Sequence, residues 1–126
     1  MRLKLPLPAM IALWVVLVAA PLAIGLVGFS MIPAGIERIP THWGFDGQIN
    51  GYGSPHTVWI LGAFMAGGQA LVALCCIFND KLYDMGLVHG VSREGAPVIY
   101  VALGVFMVAV TAFCVWLMVS NALPAL

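Results

Sequence analysis

Residues 97–121 read PVIYVALGVFMVAVTAFCVWLMVSN, a run with no charged side chain. A helix needs about 20 such apolar residues to cross the hydrocarbon core of a bilayer. No Asp, Glu, Lys or Arg occurs after Glu94. Working back from this run, the same feature recurs twice. Leu5–Ile36, Gly47–Asn79 and Gly95–Leu126 are all free of charge. The charges gather instead at Arg2 and Lys4, at Glu37, Arg38 and Asp46, and at Asp80, Lys81, Asp84, Arg93 and Glu94.

Composition agrees with this pattern. The chain has 126 residues, 63% hydrophobic and 8% charged, and its mean hydropathy is +1.06. A water-soluble domain carries about a quarter charged residues, because a small fold keeps much of its surface in solvent. Here that solvent must be lipid. The expected fold is an all-α integral membrane protein in one domain, residues 1–126. Its three transmembrane helices are expected at about Pro8–Ile32, Thr57–Phe78 and Pro97–Asn121. Net charge is zero and basic residues do not cluster, so nucleic-acid binding has no support. Cys75, Cys76 and Cys114 lie in apolar runs without a CxxC spacing and read as small apolar residues.

Pro8 and Pro97 suit first helical turns. Pro33-Ala34-Gly35 ends the first helix and Asn79 the second. Pro21 falls inside the first helix and should kink it, which lipid tolerates if neighbouring helices satisfy the freed carbonyl. The first apolar run is too long for a signal-peptide core and lacks a clean cleavage site, so it is expected to remain as a span. Arg2, Lys4, Lys81 and Arg93 fall on one side of the membrane and Arg38 on the other. The positive-inside rule then places the N-terminus and the 79–96 loop inside, and the 33–56 loop and C-terminus outside.

The helices carry packing signals. Gly25 and Gly28 lie on the first, and Gly62/Ala66 and Ala63/Gly67 are small-xxx-small pairs on the second. Such residues let backbones approach closely. Gln69 sits mid-helix and needs a partner on another helix, with Thr111 the candidate. Gly62, Gly67 and Gln69 are thus the expected packing residues, within one chain or between copies in a homo-oligomer. No internal repeat is present, and no mid-membrane charge supports coupled transport.

The outer loop is the informative segment. Residues 39–56 read IPTHWGFDGQINGYGSPH. Asp46-Gly47 and Asn50-Gly51 are turn signals, and a compact Gly/aromatic-rich cap with one short hairpin is expected. Trp43, Phe45 and Tyr52 should sit at the membrane interface or fold onto the helix ends. His42, Asp46 and His56 have zinc-ligand chemistry but no zinc spacing. Asp46-x-Gln48-x-Asn50-Gly51 follows the start of a calcium loop, but position twelve is Thr57. The residues fit turns and hydrogen bonds better, so no metal and no cofactor are expected. With no nucleophile triad, phosphate loop or carboxylate pair, the chain reads as non-enzymatic. The polar 79–96 loop reads as a connection.

The run Ile39-Pro40-Thr41-His42-Trp43, followed by Gly47, Asn50, Tyr52, Gly53 and Ser54, resembles the signature of the domain of unknown function 1648 family. That family of bacterial membrane proteins is also found as the N-terminal part of SdpI-type toxin-immunity proteins. The resemblance covers about Leu13–Phe78. It departs from the family at Pro55, where a Lys is usual, and it lacks the longer C-terminal part of SdpI-type proteins. It implies a bacterial plasma-membrane protein that gives immunity to, or senses, an envelope-active toxin. Pro40, His42, Trp43, Asp46, Gly47, Asn50 and Tyr52 are then the candidate binding residues. The partners expected are the lipid bilayer and an envelope toxin or another membrane protein. The rival readings are a small homo-oligomeric transport component and an accessory subunit of a larger membrane complex.

Overall fold

The structure, a computed structural model, describes residues 5–122. Its elements in chain order are α1 (Leu7–Ser30), β1 (Ile39–Trp43), β2 (Ile49–Gly53), α2 (Thr57–Ile77), α3 (Asn79–Asp84) and α4 (Ala96–Ser120). Three helices, α1, α2 and α4, are long and apolar enough to cross a membrane. Their outward faces bear Val15, Val16, Leu26, Phe64, Leu71, Phe106 and Phe113, all exposed. Contiguous apolar surface on this scale marks contact with something other than water.

α1 and α2 approach backbone to backbone. A Cβ built on Gly62 would stand 2.5 Å from the Pro21 carbonyl oxygen and 3.0 Å from the Gly25 Cα. One on Gly25 would meet the Val58 carbonyl at 3.0 Å. α4 closes on both helices. Gly104 admits the Trp14 ring, whose atoms lie 3.1 Å from where its Cβ would be. Gly28 admits Val115 in the same way. Gly67 meets nothing within 4 Å and faces outward, as does its neighbour Gly68. Intrachain packing therefore uses Gly62 and leaves Gly67 free.

Gln69 joins all three helices. Its Nε2 donates to the Leu17 carbonyl of α1 at 3.1 Å and to the Gly104 carbonyl of α4 at 2.9 Å. Leu17 is the residue four before Pro21, so its carbonyl is the one a proline leaves without an intrahelical donor. Thr111 is not the partner. Its hydroxyl donates to the Met107 carbonyl one turn back on its own helix, at 2.8 Å. A Thr hydroxyl in a helix reaches that carbonyl without bringing any second helix into place. α1 runs as one helix from Leu7 to Ser30 through Pro21.

The 79–96 connection differs from a plain loop by carrying α3. Asn79 Nδ2 donates to the Arg93 carbonyl at 2.8 Å. The Arg93 guanidinium reaches Asp84 at 2.8 Å and Asp80 at 3.3 Å and stands 5.3 Å over the Tyr83 ring. The hydrogen bond it donates to Asp84, with help from Asp80, holds the guanidinium proton still more firmly than usual. Gly86, at φ 74, ends α3 with its own N–H on Tyr83 and that of Leu87 on Leu82, the left-handed stop that glycine permits.

Gly62→Leu is expected to destabilise the bundle by about 1–3 kcal/mol, the usual cost of overpacking, because backbone lies where the side chain must go. Gly67→Leu should leave the monomer intact. Thermal unfolding of both variants in the same mild detergent distinguishes them.

Candidate functional site: the hairpin cap

Between α1 and α2 the chain folds into a two-stranded antiparallel hairpin that caps one end of the bundle. Its base is apolar. Ile39 is fully buried and clusters with Val58, Val115, Met118 and Ala122, with Trp43 half-buried against them. Pro40 is buried beside Ile39. A proline offers no N–H, so it suits a two-stranded ribbon in which every strand is an edge.

The tip is a three-residue loop. Gly44 N–H donates to the Gln48 carbonyl at 2.8 Å, and Gly47 N–H to the Gly44 carbonyl at 3.0 Å. Gly47 takes φ 80, the left-handed residue this loop length requires. Asp46 Oδ1 accepts from the Gln48 N–H at 3.1 Å, the local bond that makes Asp favourable in turns. Asn50-Gly51, expected as a second turn, lies within β2. There Asn50 Oδ1 pairs with His42 Nδ1 across the ribbon. Gly51 leaves room for His42, whose Cβ lies 2.9 Å from where a Gly51 Cβ would be. The ladder is irregular on both sides of His42, and such bulges re-aim side chains.

The outward face carries His42, Asn50 and Tyr52, with Asp46 and Phe45 at the tip, all exposed. The Arg38 guanidinium lies 5.8 Å over the Tyr52 ring. Trp43 folds onto the helix ends, whereas Phe45 is fully exposed, at 115% relative exposure. An isolated aromatic ring on a rigid turn is poorly placed in water and well placed to be covered by something else.

The structure does not bring His42, Asp46 and His56 together. His56 stacks on Phe29, centroids 4.9 Å apart. Its Nδ1 accepts from Trp59 Nε1 at 3.0 Å. Among the described residues no three His, Cys, Asp or Glu side chains converge on a point. The stretch with a calcium-loop beginning is half turn and half strand. Two participants escape sequence reasoning. Ile39 holds the cap down and was legible only as part of a motif. Arg38 was legible as the single cation of its loop, but nothing in the sequence placed it over Tyr52.

Helices of this length and apolarity, capped by an ordered hairpin, define a three-helix membrane-type protein whose polar chemistry lies at the bundle ends. Residues 16–66 match the model of the family described as Domain of unknown function (DUF1648), the family that the loop motif resembles. The match runs from within α1, across the hairpin, into α2. It is narrower than the expected Leu13–Phe78 and covers less than half of the chain. No curated protein and no solved structure matches the chain.

Gly47→Val should loosen the tip, because a branched side chain at positive φ costs about 1–2 kcal/mol. Gly47→Asn should be tolerated, since Asn visits that region. Amide hydrogen exchange across residues 39–53 is expected to quicken in the first variant only, with the helices unchanged.

Proposed function

We propose that the chain is a non-enzymatic protein of the bacterial plasma membrane, and that its hairpin is a recognition surface for an envelope-active toxin or another membrane protein. The observation that carries this reading is the division of the hairpin into two faces. Ile39 and Trp43 fasten one face to the helices. The other presents Phe45, Asp46, His42, Asn50 and Tyr52 with no contact to the bundle that would explain an aromatic ring at the tip. Rigid, exposed aromatics flanked by polar groups are the usual anchors of protein recognition.

In this reading the N-terminus and the α2–α4 connection lie inside, and the hairpin and the end of α4 outside. The support is the distribution of Arg2, Lys4, Lys81 and Arg93 against Arg38. The hairpin and the C-terminal end of α4 share one end of the bundle, where Ile39 packs on Met118 and Ala122. The link to SdpI-type immunity proteins enters here as the family analogy that suggests a toxin. The transport reading loses its main residue, because the Gln69 amide N–H groups are spent on two helix carbonyls.

The test is a deletion strain challenged with envelope-active toxins and complemented by variants. Phe45→Ala and Tyr52→Ala should reach parental abundance in the membrane yet lose protection at least tenfold. Equal protection by both variants at equal abundance would reduce the hairpin to a connector.

A further inference from the structure

A second site lies beside the cap, and Tyr52 belongs both to it and to the hairpin's outward face. Between the last turns of α1 and α4 runs an apolar groove of about 590 Å³, lined by Ala23, Val27 and Met31 on one wall and Ala112 and Trp116 on the other. It reaches Ser120, and Ser120 also lines a second, polar recess of about 660 Å³. That recess is formed where Glu37 and Arg38, just before β1, meet Tyr52 and Asn121. Greasy groove and polar recess thus share a wall at the end of the bundle. From Ala23 to Met31 the groove is about 12 Å long at 1.5 Å per helical residue.

We infer that this combined cleft seats one zwitterionic aminophospholipid, an acyl chain in the α1/α4 groove and the headgroup in the recess between Glu37 and Arg38. The argument is charge complementarity in the right place. Neither Glu37 nor Arg38 has an ion-pair partner among the described residues, whose two salt bridges both belong to Arg93. Adjacent in sequence, they offer one anion and one cation at the depth where a spanning helix gives way to headgroups. A guanidinium binds phosphate well, and a carboxylate binds an ammonium. A net-anionic headgroup would meet Glu37 without a counter-charge. A single hydrocarbon chain fits the groove's length and its lining.

The experiment uses the whole chain purified in mild detergent, stripped of lipid and titrated with phosphatidylethanolamine, phosphatidylglycerol or glycerophosphoethanolamine. Native mass spectrometry reads bound lipid and thermal unfolding reads its effect. One phosphatidylethanolamine per chain should bind at least tenfold more tightly than phosphatidylglycerol, and the tail-less headgroup should not bind. Arg38→Gln and Glu37→Gln should each remove that preference. Ala112→Phe or Ala23→Phe, at exposed positions that do not hold the bundle together, should block the groove and weaken both lipids. Equal binding of the two phospholipids by the parent overturns the inference. So does unchanged phosphatidylethanolamine binding in a folded groove-filled variant.

Discussion

The amide of Gln69 is the constraint around which the helices are arranged. Lipid offers no donor to the carbonyl that Pro21 strands on Leu17, and an unsatisfied backbone group in hydrocarbon costs several kcal/mol. One –NH₂ from α2 supplies that donor and a second bond to Gly104 on α4. The amide orientation follows from its neighbours: a rotated amide would set its oxygen against two carbonyl oxygens. Both acceptors must lie within reach of one nitrogen, which fixes how deep α2 sits between α1 and α4. Buried interhelical hydrogen bonds of this kind contribute about 0.6–2 kcal/mol each, so the effect is more on register than on total stability. The Oε1 of the same amide, buried with no partner among the described residues, offsets part of that gain.

The glycines make the reach possible. Gly62 and Gly25 bring α1 and α2 to backbone contact just above the amide. Gly104 accepts the bond and also clears space for Trp14, which is 2% exposed. From this centre the bundle runs to two polar ends of different character. One is clamped by the exposed ion pairs of Arg93 with Asp80 and Asp84, which contribute little energy, and by the buried Asn79, whose amide donates to the Arg93 carbonyl. The other is plugged by Ile39, and that plug sets the hairpin upright over Val58, Val115 and Met118. The proposed recognition face and the proposed lipid cleft both depend on this second end.

The three spans were legible in the sequence because absence of charge over 20 or more residues has one cheap physical solution. The cap was legible in kind, since Gly47 after Asp46 is a strong turn signal. The role of Asn50-Gly51 was not, because the same pair that starts a turn can also sit opposite a histidine that needs a glycine beneath it. The partner of Gln69 is the Leu17 carbonyl and not Thr111, and Pro21 marks it in the sequence: counting four residues back from a proline gives Leu17. Short α3 was hidden because six residues, four of them Asn, Asp or Lys, are too few to show a helical period, and Arg93, which lies nine residues beyond its end, pairs with it. Which small residues pack and which face outward, Gly62 against Gly67, is a matter of helix rotation that spacing alone leaves open.

The most direct test of this account is a double-mutant cycle on Pro21 and Gln69, read as thermal or denaturant unfolding in detergent. Gln69→Leu alone should cost about 1–3 kcal/mol, because it strands the Leu17 carbonyl. In a Pro21→Ala background the substituted alanine supplies its own N–H to the Leu17 carbonyl, and the cost of Gln69→Leu should fall by about 1 kcal/mol or more. If the two substitutions are additive, Gln69 does not serve the carbonyl that Pro21 frees, and the arrangement of the three helices rests on something else.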